Sequence, residues 1–502
     1  MKILINYKLL LALSMLSVFI SCDKDFLNRN PLAQPSSGTF WKSEEDINLA
    51  LAGVYNTLTR SSEGFGPFTI HWDGLSDNAW PRSGSFNTVV QGQIESTTGG
   101  IVSDVYFNNY RSIATCNYFL ANAVKVQMDK NKLEQNLAEV RFLRAYYYFQ
   151  LSELYGGVPL TTEPETYENP KRAKSTKDEV VKLILEDLDF AISKLADIPY
   201  NGRVVKGAAL GLKARVLLFN SRWQEAASAA KQIIDSKKFT VSNSYYGLFV
   251  KPGQNSNPEI MFSIRYQMPN LFHTMDYQYG WDQWELVQPI QNVINAYEMA
   301  DGRPITESPL YNPLTPYVNR DPRMKLSVYV PGDRWKYSAN GLFDPAKDGN
   351  NKTGFLLKKY LDTTRAPAGY ATQSDQDFVL LRFADVLLMY AEAQNEVGGP
   401  DESVYSAVNA VRARPGINLP PLPAGLSKDQ MRQRIRNERR IELAFEGLRF
   451  LDLKRWKIAD VVLPQIINPG GVARKFEQKH YLWPFPLSEI DINKDLQQNT
   501  GY

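Results

Sequence analysis

Apolar residues recur at helical spacing over most of this chain. A capping run, Ser43-Glu-Glu-Asp46, leads into Ile47, Ala50, Leu51, Val54, Tyr55 and Leu58, one apolar stripe that predicts a helix to about Arg60. The same period predicts helices over 105–128, over 133–155 with a stop at Gly156-Gly157-Val158-Pro159, and over 176–195. Two later helix pairs, 206–219 with 223–234 and 380–397 with 402–412, share a small-residue texture. Ala208, Ala209, Gly211, Ala214, Ala226, Ala227, Ala229 and Ala230 mark the first pair, and Ala384, Ala391, Ala393, Ala407 and Ala410 the second. Small residues on one face let helix axes approach closely, the texture of degenerate tetratricopeptide-like hairpins. The repeats are too eroded, and too far apart, for periodicity alone to establish a solenoid. The fold expected is mostly α.

Two stretches break the pattern. Residues 64–100 are irregular, aromatic and Gly-rich. Residues 240–376 hold turns such as Pro252-Gly253, Asp301-Gly302-Arg303-Pro304 and Pro331-Gly332, with short strand-like runs at 260–266 and 326–330. Long structured loops on a rigid helical frame are where binding residues concentrate. The expected organisation is a signal at 1–21, a tether at 22–42, a helical region at 43–239 carrying the loop 64–100, a loop-rich region at 240–376, and a helical hairpin and end region at 377–502.

The amino terminus has a pattern of its own. A basic start is followed by an almost unbroken apolar run from Leu9 to Ile20, then Ser21-Cys22-Asp23-Lys24-Asp25. The run is shorter than the roughly 20 residues that cross a bilayer, and it fits a secretory signal. A cysteine just after the cut predicts a lipoprotein, acylated on Cys22. Losing residues 1–21 removes two lysines and no acid, which leaves 55 basic against 54 acidic side chains. That balance gives no support for a nucleic-acid partner. Cys116 is then the sole other cysteine, so no intramolecular disulfide is expected. The three histidines, His71, His273 and His480, are far apart without zinc-ligand spacing, and no phosphate-binding or dinucleotide-binding motif occurs. No cofactor is expected.

Four segments resemble one family. They are Arg141-Phe-Leu-Arg-Ala-Tyr-Tyr-Tyr-Phe-Gln-Leu-Ser-Glu-Leu-Tyr-Gly-Gly-Val-Pro159, Leu381-Arg-Phe-Ala-Asp-Val-Leu-Leu-Met-Tyr-Ala-Glu-Ala-Gln-Asn-Glu396, Glu438-Arg-Arg-Ile-Glu-Leu-Ala-Phe-Glu-Gly-Leu-Arg-Phe-Leu-Asp-Leu-Lys-Arg-Trp456, and Tyr481-Leu-Trp-Pro-Phe-Pro-Leu-Ser-Glu-Ile-Asp491 with Gln498-Asn-Thr-Gly-Tyr502. With the lipoprotein start, the chain resembles the SusD/RagB family of outer-membrane glycan-binding lipoproteins. The resemblance implies an irregular tetratricopeptide-like superhelix with an embedded loop-rich glycan-binding region. It also implies capture of oligosaccharide without bond cleavage, hand-over to a TonB-dependent transporter barrel, and display at the cell surface, where Asp23-Lys24-Asp25 is similar to an export signal.

Within the end signature, Ile441, Ala444, Phe445 and Leu448 make an apolar stripe, and the charges around it are expected to pair locally, Glu438 with Arg434 and Glu442 with Arg439. The glycan candidates lie in the loops. Sugar rings offer C–H faces to an aromatic plane and hydroxyl rims to forked donors and acceptors. Asp73, Asp77, Asn78, Trp80 and Arg82 form one such set, with Trp72 expected to pack inward. Tyr279, Trp281 and Trp284 form a second, and Trp335 beside Arg334 a weaker third; core packing is the competing role for each. Trp456 and Trp483 belong to the structural signatures. Arg82, Arg303, Arg320, Arg323 and Arg334 all fall in loops, which suits uronate or sulfate groups unless they are structural. Asp73 and Asp77 as paired carboxylates leave a surface glycoside hydrolase or lyase open. A peptide-capturing relative is the third reading.

Overall fold

Several of the helices begin at a side chain that caps them. The computed structural model describes residues 40–60, 69–82, 84–164, 172–280, 284–335, 338, 340–362, 364, 369 and 371–502; Cys22 and Trp281 lie outside these. In α1 (Glu44–Asn56), Ser43 Oγ accepts from Asp46 N at 3.2 Å and the Asp46 carboxylate accepts from Ser43 N at 2.8 Å. After α2 (Ile101–Ala123) and α3 (Lys130–Tyr155), the same reciprocal cap, built from Thr176 and Glu179, opens α4 (Lys177–Lys194). Such caps satisfy amides that the first turn leaves unpaired.

The two small-residue pairs are α5 (Lys206–Phe219) with α6 (Trp223–Ser236) and α7 (Phe383–Gly398) with α8 (Glu402–Arg412). From α2 to α6 each helix packs on the next, and α7 then packs on α6. The pairs are therefore continuous in space although a long insertion separates them in sequence. Alanines 208, 209, 214, 226, 227, 229, 230, 384, 391, 393 and 407 are buried at these contacts, whereas Ala410 faces solvent. Expected to start at 380, the later pair starts at 383, because residues 380–382 close a strand.

The described strands form four antiparallel ribbons: β1 (Ala79–Pro81) with β3 (Val287–Pro289), β2 (Ile260–Ile264) with β6 (Phe378–Arg382), β4 (Val328–Tyr329) with β5 (Leu356–Leu357), and β7 (Ile467–Asn468) with β8 (Val472–Ala473). The β2–β6 pairing places Ile260 opposite Arg382 and Ile264 opposite Phe378, so the insertion leaves and rejoins the helical stack at one ribbon. Among the described residues, no helix is long and apolar enough to cross a membrane.

The insertion is joined to the frame by buried charges. Following α8, α9 (Lys428–Glu442) and the short α10 (Arg449–Arg455) carry the acidic and basic residues of the end signature. Its apolar stripe is buried as expected, but the ion pairs are not local. Glu438 accepts from Arg323 at 2.5 Å and Arg412 at 2.9 Å, while Arg434 reaches Glu298 instead. Glu442 accepts from Arg323, Arg382 and Arg414 at 2.8, 2.7 and 2.6 Å, and Arg439 pairs with Asp385 at 2.8 Å. Arg382 also donates to Glu259 and Glu446, and Lys359 to Glu446 at 2.7 Å. In the interior a charge needs a partner from whichever segment reaches it, and here those segments are the insertion's loops, β6, α7 and the end of α8.

Candidate functional site

The first candidate loop owes its shape to the end signature. Asp73 Oδ1 accepts from Asn78 Nδ2 at 2.9 Å and Oδ2 from the Gly447 amide at 2.7 Å. Gly447 has φ +79°, and a Cβ there would lie 2.5 Å from the Thr69 carbonyl, so the contact requires glycine. Arg440 donates through Nε to Asn78 Oδ1 at 2.9 Å and through Nη2 to the Asp77 carbonyl at 2.8 Å. Arg449 forks onto the Asp77 carboxylate at 2.8 and 3.0 Å. Arg474 donates to the carbonyls of Gly74, Ser76 and Ala79 and, through Nε, to Asn468 Oδ1. Three arginines from the last quarter of the chain thus hold a loop near its start.

This geometry corrects several expectations. Asp73, Asp77 and Asn78 are buried, at 0%, 4% and 0% exposure, and their polar atoms bond within the protein. They shape the loop and present no surface to a sugar. Burial pushes the Asp73 carboxyl up to about 6. Burial would raise Asp77 too, but Arg440 and Arg449 outweigh it and hold that carboxyl well below the ordinary range. As paired catalytic carboxylates the two are poorly placed, because both are buried and bonded within the protein. Tyr279 is also interior, sharing a 2.7 Å hydrogen bond with His71 Nδ1. Trp335 is buried in a small separate cluster with Tyr329, Phe343 and Leu356, its ring 4.8 Å from that of Tyr329. Trp72 and Trp483 are core residues as expected; Trp456 is half-buried and donates to Glu392 at 2.7 Å. Trp281 lies outside the described residues.

The remaining candidates come together although the sequence separates them by some 200 positions. Ribbon β1–β3 sets Trp80 opposite Gln288 and Pro81 opposite Val287. Alternation along β1 buries Ala79 and Pro81 and leaves Trp80 half-exposed. Arg82 continues the strand: its amide donates to the Leu286 carbonyl at 2.9 Å, Nη1 to the Trp284 carbonyl at 2.7 Å, and Nη2 to Asn350 Oδ1 at 2.6 Å. Trp284 is half-buried, its ring 5.2 Å from that of Tyr277. A third segment joins them, since Gln288 donates to the Asn350 carbonyl at 2.9 Å and accepts from the Lys352 amide at 2.8 Å. Two part-exposed indoles, a guanidinium, an amide and the exposed Lys352 therefore lie on or beside one ribbon. Residues of these types offer stacking faces and forked polar groups of the kind a sugar requires. Sequence reasoning missed Gln288, Asn350 and Lys352; Asp348-Gly349 marks a turn there, but no aromatic residue stands beside it.

Of the loop arginines considered for an anionic ligand, Arg323 is fully buried on Asp321, Glu438 and Glu442, and Arg320 donates to the Pro316, Ile294 and Tyr297 carbonyls. Both are structural. Arg303 and Arg334 are exposed. Among the described residues, no group of three or more His, Cys, Asp or Glu is placed to hold a metal.

Comparison with known proteins agrees with this architecture. Residues 248–502 match the model of the SusD family, and residues 25–218 match a second model described as starch-binding associating with outer membrane. SusD-like protein P2 of Formosa agariphila is 26% identical, with 95% of this chain and 96% of that one aligned. The crystal structure of a SusD-like carbohydrate binding protein from Bacteroides fragilis superposes with a TM-score of 0.82 at 27% identity, covering 91% of this chain and all of that one. A laminarin binding SusD-like protein shares the fold, with a TM-score of 0.75 at 23% identity over 92% of this chain. On the family models, the relatives and the fold together, this chain belongs to the SusD family.

Proposed function

We propose that this protein is a non-catalytic, cell-surface glycan-binding lipoprotein that captures oligosaccharide and passes it to a TonB-dependent transporter in the outer membrane. The observation that supports the binding part is that Trp80 on the β1–β3 ribbon, and Arg82 and Trp284 beside it, lie next to a loop fixed by buried ion pairs. Its relatives' printed names, a carbohydrate binding protein and a laminarin binding protein, point the same way. Anchorage through acylated Cys22 and exposure to the exterior complete the reading.

Affinity electrophoresis of the mature protein against neutral, uronic and sulfated polysaccharides tests it. Retardation by at least one polymer, without release of reducing ends, is the expected result. Product release from that polymer would overturn the non-catalytic reading, and retention by none would overturn glycan binding. Cys22→Ser should move the protein from the membrane to the soluble fraction, and the wild-type protein should co-purify from outer membranes with a large β-barrel.

A further inference from the structure

A groove of about 550 Å³, lined by none of the β1–β3 ribbon residues above, lies between α1, the turn at Gly202-Arg203, the end of β2 and Leu271. Its volume falls in the range of small-ligand sites, roughly 300–1,000 Å³. The floor is apolar, with Leu51, Leu58 and Ile264, and α1 contributes Asn48 at the edge. Among the described residues, the charged ones lining it are two arginines, Arg203 and Arg265, and no carboxylate lines it.

The arginines differ in how they are committed. Arg203 is tied to Glu139 at 2.7 Å and to Asn136 Oδ1 at 2.9 Å. Arg265 is held more loosely. Its side chain is 57% exposed, and among the described residues its one ionic contact is Nε to Asp377 at 3.6 Å, beyond hydrogen-bond reach. Its two Nη atoms donate to nothing among the described residues, so the outer fork remains available. Position 202 lets it lie there: a Cβ at Gly202 would stand 1.9 Å from Arg265 Nη1, and φ of +96° favours glycine as well. The side chain of Asn48, exposed on α1, likewise makes no hydrogen bond among the described residues.

We infer that this groove is a second saccharide site, selective for an acidic oligosaccharide whose carboxylate or sulfate ester sits on the Arg265 fork. The ring C–H face rests on Leu51, Leu58 and Ile264, and Asn48 meets a hydroxyl. A planar guanidinium with both outer nitrogens free suits a bidentate oxyanion. A lining with two cations and no anion disfavours a cationic ligand. Two separate sites on one rigid body hold a polymer more firmly than either alone.

The inference rests on the glycan-binding reading, and the test separates the two. Isothermal titration of the mature protein with tetragalacturonate, its methyl ester and a sulfated tetrasaccharide distinguishes uronate from sulfate as the anion. Wild-type protein should bind at least one acidic oligomer, and tetragalacturonate, if bound, more tightly than its ester. Arg265→Ala should weaken the acidic oligomer about tenfold to a hundredfold. Gly202→Val keeps the guanidinium but displaces it and should weaken binding similarly, which separates position from charge. Unchanged affinity in both variants, or equal affinity for acid and ester with no binding of the sulfated oligomer, overturns the inference. Binding of an acidic peptide with no acidic oligosaccharide bound overturns it as well. If polysaccharides are retained by the wild type while both variants titrate normally, this inference alone fails. If no polysaccharide is retained at all, the glycan-binding reading fails with it.

Discussion

Substituting Glu442 by glutamine isolates the buried charge network with almost no change of shape. Glu442 is fully buried and accepts from Arg323, Arg382 and Arg414 at 2.8, 2.7 and 2.6 Å. Burial alone would raise its pKa, yet the three guanidinium groups hold the carboxyl well below the ordinary range, so it is charged at any pH where the protein is studied. Glutamine keeps one carbonyl acceptor and turns the other oxygen into a donor facing an arginine. At least one guanidinium then loses one of its charged partners in the interior. Breaking a buried pair by removing one member costs about 3–5 kcal/mol, because the remaining charge stays desolvated. Glu438, Glu446 and Glu259 share the same arginines and keep the loss toward the lower end. Urea unfolding followed by tryptophan fluorescence should show a clear fall in midpoint for Glu442→Gln. The control Glu402→Gln, at an exposed position of α8, should stay within about 0.5 kcal/mol of wild type. Equal midpoints for the two variants would refute the argument that these pairs join the insertion to the helices.

Three further outcomes follow from named residues. Arg474→Met removes the donor to the Gly74, Ser76 and Ala79 carbonyls, so hydrogen exchange should accelerate in residues 73–79 while the amides of α3 keep their protection; uniform acceleration everywhere would mean a global rather than a local effect. Asp73, raised by burial to about 6, contributes stability that is fully present below its unfolded value near 3.8 and is lost as pH rises through about 6; the stability of wild type relative to Asp73→Asn should therefore fall by about 2 kcal/mol between pH 4 and pH 7, and a flat difference would contradict the assignment. Cys116 is buried and its thiol is pushed up to about 12 by burial, so native protein should resist alkylation at this residue at pH 8 and react fully in urea; rapid labelling of native Cys116 would show the α2–α3 packing to be wrong.

Local periodicity made the helices legible. The cap at Ser43 and the alanine faces of α5 to α8 are spelled out within a few residues each. What periodicity could not supply was the contact between α6 and α7, which depends on an insertion folding back on itself. The ion pairs show the same limit. Glu438 and Glu442 have arginines at helical spacing, yet burial of the whole α9 face let Arg323, Arg382, Arg412 and Arg414 from distant segments take them. Composition singled out the loop at 73–82 but not which of its side chains are buried. Asp73, Asp77 and Asn78 look like sugar-binding residues because the chemistry that grips a hydroxyl also grips an arginine. Trp80, Arg82 and Trp284 met only through the register of β1 with β3.

The most direct test of the account is the affinity of the mature protein for its retained polysaccharide, measured with wild type, Trp80→Ala and Trp284→Ala side by side. Each indole removed from the ribbon should weaken binding by about 0.5–1.5 kcal/mol, a twofold to tenfold loss, with an unchanged unfolding midpoint and no polymer cleaved. Undiminished affinity in both variants would contradict the claim that this ribbon grips carbohydrate.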